Sequence, residues 1–377
     1  MKKNIKWNHY LNYIIIGALT VVFSAMSLTG TLSRLSYVLL QNISIAIILS
    51  VSLSVVVGFL GELSLGHAGF MCIGAYLGGK VSSLLLPAFG ESLINVIISM
   101  AVGGILAAIC GVIIGLPALR LRGDYLAIVT LAFGEIVRSI FMNSSPESFG
   151  GSFGLQTPRY DRTYLFIVGF VVVLICLAVI QNMMRSKHGR AITAIRDSEI
   201  AARATGINVT KYKLIVFTVS SFFAGVAGVL YSFTQSNVQS VNFSYNYSIE
   251  ILVMVVLGGM GSINGAIISA TLITFLDVQL QTILTGDLAV LQDFFYAIIL
   301  IVIVIYNNAP GLKNFRDKYN FKNFTEKLFK KKNNPAHMTD DEAKWNRVPS
   351  KILVDEVLST KIQRDPTASV KPDKEDK

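Results

Sequence analysis

The chain of 377 residues is 53% hydrophobic and only 15% charged, with a mean hydropathy of +0.58. Soluble domains carry about 25% charged residues, so the composition excludes an ordinary soluble enzyme or binding module and points to a polytopic membrane protein. The net charge of +10 does not describe a nucleic-acid groove. Sixteen of the 33 basic and eleven of the 23 acidic residues lie from Lys313 onward, and the rest sit mostly in loops, which is the distribution of membrane topology.

Apolar stretches suited to crossing a ~30 Å hydrocarbon core as helix centre on 11–28, 35–60, 65–86, 92–116, 125–141, 164–184, 214–233, 249–257, 263–284 and 288–306. The expected fold is therefore all-α: a polytopic integral membrane bundle of about ten transmembrane helices, or eight if two Gly-interrupted segments re-enter. The first stretch follows Lys2, Lys3 and Lys6 and has no small-residue cleavage site, so it reads as a retained span. Basic residues gather in alternate connections: the N-terminus, Arg120 and Arg122, the loop 185–213, and the tail. The positive-inside rule then places both termini in the cytoplasm. Residues 1–310 form the transmembrane domain and 311–377 a charged, mostly disordered extension, in which "FKNFTEKLFKKK" aligns Phe321, Phe324 and Leu328 on one face, a pattern compatible with a membrane surface.

In chain order, the first unusual segment is "GELSLGHAGFMCIGAYLGG", beginning at Gly61. Its glycines permit close helix packing. The other reading is a broken or re-entrant helix lining a pathway, with Glu62, Gly66, His67 and Gly69 beside it, because irregular backbone at membrane depth survives only inside protein or against a water-filled cavity. The Gly-Lys pair at Gly79 and Lys80 is not a phosphate loop, since Val81 replaces the required hydroxyl residue. Further on, Glu135 and Arg138 stand at i and i+3 and can pair within a span.

Cys72, Cys110 and Cys176 lie inside apolar runs, and His9, His67, His188 and His337 are scattered. No disulfide framework, metal-ligand spacing or Ser/His/Asp grouping results. No catalytic residue, metal or cofactor is expected in this chain.

The loop "SKHGRAITAIRDSEIAARATGINVTKYK" holds seven of the chain's cations between 185 and 213. Burying them at ~2.5–3.5 kcal/mol each would cost on the order of 20 kcal/mol, so the loop lies outside the bilayer. It carries helix signals nonetheless. Asp197 or Ser198 can cap, Glu199 suits the first turn, Ala201, Ala202 and Ala204 propagate, and Gly206 stops; upstream, Ile192 and Ile195 share a face. A compact pair of helices follows, either a docking element or a well-formed surface loop. Beyond it, "GGMGSINGA" repeats the first block's pattern, with Gly258, Gly261 and Gly265-Ala266 paralleling Gly66, Gly69 and Gly74-Ala75, and suggests an internal repeat with paired half-helices.

The segment from Glu199 to Gly206 resembles the Glu-Ala-Ala…Gly loop of permease subunits in bacterial ATP-driven importers. Glu199 lies one residue further upstream than the general pattern has it, a spacing that matches one branch. "GRAITAIRDSEIAARATGINVTKYKL" as a whole resembles the M-type permeases of the LIV branched-chain amino acid importers. "GFLGELSLGHAGFMCIGAYLGG", "LRLRGDYLAIVTLAFGEIVRS" and "VVLGGMGSINGAIISA" are similar to that family's segments in the same order. The resemblance implies a non-enzymatic permease in a bacterial plasma membrane, forming half of a translocation pathway for Leu, Ile or Val, with urea or short amides as the alternative cargo. It implies four kinds of partner: a homologous H-type permease, two ATPase subunits that use ATP and Mg, an extracytoplasmic solute-binding protein, and the amino acid itself. Gly189, Arg190, Glu199, Ala201, Ala202 and Gly206 would form the ATPase-coupling loop; Glu62, Gly66, His67, Gly69, Glu135, Gly258, Gly259 and Gly261 are candidates for the pathway. An ion-coupled secondary transporter is the rival class, with Glu135 as its best ion site. The long tail departs from the family pattern.

Overall fold

The computed structural model describes residues 11–29, 33–118, 121, 123–235 and 237–283, with isolated positions at 294, 297, 298, 301 and 305. The N-terminal lysines, the tail and most of 288–306 lie outside the described residues. Nine of the ten expected stretches coincide with helices. Seven are long and apolar enough to cross a membrane, and two, around α1 and α12, are shorter.

After α1 (Leu11–Leu28), helix α2 (Arg34–Ser54) starts at a Ser33 cap, whose hydroxyl accepts from the Ser36 N–H, and continues as a π-helical stretch, Val55–Leu60. Gly61, with φ +79°, stops it. An extended segment then leads to α3 (His67–Ile73), a second π-helical stretch at Gly74–Gly78, and α4 (Gly79–Phe89). The Gly79-Lys80 segment is helical. Next come α5 (Leu93–Ala118), α6 (Asp124–Met142), the short α7 (Pro146–Phe149), β1 (Leu155–Gln156) and α8 (Arg162–Arg185). The polar connection forms α9 (Lys187–Asp197) and α10 (Glu199–Ala204). The rest is α11 (Val209–Gln235), β2 (Asn237–Val238), α12 (Tyr245–Leu257) and α13 (Ile263–Ile283).

Small residues set the packing. The centre is a contact of α3 and its π-helical extension with α11 and α5, where a side chain at Gly74 would overlap the backbone of Gly225; helix axes can approach this closely only without a Cβ. At one end of the bundle, β1 and β2 pair antiparallel, Leu155 opposite Val238. Tyr76 donates to the Val238 carbonyl at 3.0 Å and Thr157 to the Ser232 carbonyl at 2.7 Å, closing that end. The α9–α10 pair marks the other end.

The helices are arranged as an inverted pair of units. α5 lies along α11 as α13 lies along α2, and α2 runs toward the α9–α10 end whereas α11 runs away from it. Within each unit the long helix is followed by a shorter one that begins part-way along the bundle, buried at His67 for α3 and exposed at Tyr245 for α12. His67, at the start of α3, bonds Ser52 (Nε2–Oγ 2.9 Å), about 12 Å along α2 from Leu60 at 1.5 Å per residue. Tyr245, at the start of α12, donates its N–H to Glu135 at 2.9 Å, about 10 Å along α6 from Met142. The two starts meet: the Ala68 N–H donates to Ser248 Oγ at 3.1 Å.

This corrects the Gly-block parallel. Gly66 and Gly69 open α3 and pack on Thr130 and Gly134 of α6, whereas Gly258, Gly259 and Gly261 close α12, two of them at positive φ. The counterpart of α3 is α12 itself, whose start carries no glycine motif. Glycine marks close approach; it does not mark chain direction.

Candidate functional site

Two polar clusters emerge, and the candidate pathway residues divide between them. The first lies part-way along the bundle, where α3 and α12 begin. Gly66, His67 and Gly69 are here. Thr130 Oγ1 accepts from the Leu65 N–H at 3.0 Å and donates to the Ala127 carbonyl at 3.0 Å, fixing the last extended residues before α3. Glu135 holds Arg138 Nε at 2.8 Å with one carboxylate oxygen and the Tyr245 N–H with the other. It is therefore a paired cap on a half-helix, where the positive end of the helix dipole favours an anion. The polar groups lining this junction are Ser52, His67, Thr130 and Ser248, with the Glu135–Arg138 pair one turn away.

The second cluster lies at the α9–α10 end and gathers Glu62, Glu199, Gly261 and two cations that composition alone does not single out. Ser186 caps α9, accepting from the His188 N–H at 3.1 Å, and Ser198 caps α10, accepting from the Ala201 N–H at 3.3 Å. Gly206, φ +83°, ends α10 with its N–H on the Arg203 carbonyl at 3.0 Å. Ile192, Ile195 and Ala202 are buried and hold the pair down. Gly189 is pressed onto the Met184 carbonyl where α9 turns back on α8. Ala202 thus faces inward, while Arg190, Ala201 and Ala204 are exposed and Ile200 is 77% exposed.

Lys213, only 3% exposed, forms an ion pair with Glu62 and approaches Glu199 at 3.4 Å. Glu199 also holds Arg203 at 2.5 Å. Arg196 donates through Nη1 to the Gly58 carbonyl at 3.3 Å, its stem fills the space a side chain at Gly61 would need, and Gly261 lies beside its guanidinium. A side chain at Gly58 would in turn overlap Gly261. Gly258 and Gly259 adjoin this contact and do not line the junction of α3 and α12. Among the described residues, no group of three or more His, Cys, Asp or Glu side chains is close enough to hold a metal ion.

Residues 35–305 match the family described as "Branched-chain amino acid transport system / permease component". The chain belongs to this permease family. Relatives of the family permease include the high-affinity branched-chain amino acid transport system permease protein LivM of Escherichia coli (strain K12), 38% identical over 260 residues, or 61% of this chain and 60% of LivM. The probable LivM of Methanocaldococcus jannaschii is 28% identical over 58% of this chain and 73% of its own length. The ribose import permease protein RbsC of E. coli (strain K12) is 28% identical over 72% and 84%. The match thus spans about three fifths of the length of the enterobacterial LivM proteins. No solved structure matches the chain.

Proposed function

We propose that this permease forms half of the translocation pathway of an ATP-binding-cassette importer for branched-chain amino acids in a bacterial plasma membrane. The observation that carries the reading is the α9–α10 pair: a short capped helix anchored by Ala202 and presenting Ile200, Ala201 and Ala204 outward, in a chain whose family consists of transport permeases. The basic residues of 185–213 support a cytoplasmic position for this end, and for both termini, by the positive-inside rule. There the exposed helix would enter clefts on two ATPase subunits that bind ATP and Mg. A homologous H-type permease and an extracytoplasmic solute-binding protein complete the assembly, and similarity to the probable LivH of M. jannaschii, 27% identical, supports pairing of two related permeases. ATP-driven closure of the ATPases would rock the helices between inward- and outward-facing arrangements.

Branched-chain cargo is favoured over ribose by the higher identity to LivM. It is compatible with the junction of α3 and α12, which gathers hydroxyl groups and one histidine, with its nearby carboxylate already paired. Such a junction suits a net-neutral zwitterion with an apolar side chain. The same pairing of Glu135 argues against the ion-coupled alternative.

The test is uptake of labelled leucine by membrane vesicles containing the full set of subunits. The native chain should take up leucine with ATP, and Gly206→Arg, which replaces a residue at φ +83°, should lose both ATPase association and uptake. Undiminished uptake by that variant would refute the coupling role of α10. If the native chain carries urea, an amide or ribose but no leucine, the cargo assignment is wrong.

A further inference from the structure

The connection between α10 and the pathway is not made by the chain alone. α9 and α10 join α8 and α11, whereas the extended segment 61–66 that leads into α3 belongs to a different part of the sequence. The residues at the entrance of that segment are instead held by Arg196 of α9 and by Lys213 at the start of α11, which α10 touches through Glu199. Lys213 reaches Glu62 across 151 positions, and Arg196 reaches the Gly58 carbonyl across 138. The two cations thus hold the stretch 58–62, Arg196 at a backbone carbonyl and Lys213 at a side-chain carboxylate, just where the π-helical stretch ends at Gly61.

We propose that Lys213 and Arg196 form an ionic latch that transmits displacement of the α9–α10 pair to segment 61–66, and through it to the start of α3. This rests on the importer reading above and adds positioning residues to it. Four observations converge on the latch. Lys213 is almost fully buried, and a buried ion pair is poor evidence for stability, since well-packed apolar residues often serve as well; its better-attested use is to specify one arrangement over another. Glu199 lies in the first turn of α10 and touches both Arg203 and Lys213, so the latch begins on the helix that faces outward. π-helical turns such as Val55–Leu60 recur at functional positions and leave a backbone able to change register. Finally, Gly61 and Gly261 clear the space that Arg196 occupies and Gly58 clears room for Gly261, which links the latch to the α12–α13 turn as well. A displacement of α10 would therefore act on both half-helices: on α3 through Glu62, and on α12 through Gly261.

The experiment uses proteoliposomes with the complete importer, binding protein outside and ATP inside, and measures leucine uptake and phosphate release together. Lys213→Met should retain ATPase subunits and hydrolysis, while leucine moved per ATP falls about tenfold, the usual size of coupling between sites. Glu62→Gln should behave alike. The reversed pair Glu62→Lys/Lys213→Glu, made together with Glu199→Gln so that the new carboxylate does not face Glu199, should recover most of the ratio. A native leucine-per-ATP ratio in Lys213→Met overturns the latch and leaves the importer reading intact. If Lys213→Met does not assemble, the reversed pair decides: recovery supports the latch, and an assembled but uncoupled complex overturns it. A native chain without ATP-driven uptake overturns both readings.

Discussion

Lys213 shares its helical face with Val209, Val216, Phe217 and Ser220, all buried. Helical periodicity therefore places a lysine on an apolar stripe, a signal present in the sequence but masked there by six other cations in the same loop. Its partner could not be read, because nothing local connects residues 151 positions apart. Ser198 and Gly206 were legible, since a capping hydroxyl and a left-handed stop act within a few residues. Ser198→Ala should cost about 1 kcal/mol of local helix stability and weaken ATPase association without changing membrane insertion; unchanged co-purification would show that α10 keeps its form without the cap. At Gly74 the effect is steric. Gly74→Leu places a branched side chain into the backbone of Gly225, and overpacking of this kind costs about 1–3 kcal/mol or more, read as loss of monodisperse protein after detergent extraction.

At the level of elements, the apolar runs disclosed the helices because membrane thickness imposes their length. The half-helices were harder. α3 begins after an extended segment whose N–H groups must be satisfied away from water, and Thr130 supplies one acceptor from a helix that sequence reasoning had associated only with Glu135 and Arg138. Thr130→Val leaves the Leu65 N–H without its partner at 3.0 Å, a loss of about 1–3 kcal/mol for an unsatisfied buried donor. Leucine uptake should drop with ATPase association unchanged. Ser248→Ala should act in the same direction through the Ala68 N–H. If both variants transport normally, the junction of α3 and α12 is a structural joint and the cargo passes elsewhere.

For the molecule as a whole, the outer face of α5 presents Ile97, Ile105, Ile109 and Ile113, all exposed, a stripe fit to meet acyl chains or a second permease. Ile105→Arg should reduce the membrane-inserted fraction, at about 2.5–3.5 kcal/mol for a cation near mid-span, and a fractionation assay would show it. The inverted arrangement of the two units was not legible from glycine spacing; it emerges only from which helices lie together.

Because the two units run in opposite senses, their apolar pattern is nearly indifferent to being turned over in a bilayer, and the basic connections, the cations near α9 and α10 among them, would break the tie. Two of those cations, Arg196 and Lys213, are also fastened to the bundle. On the latch proposed above, the address label and the moving part would share side chains. Drift at Lys187 or Lys211 would erode only the label, while drift at Lys213 would be judged twice, once during biogenesis and again at every transport cycle.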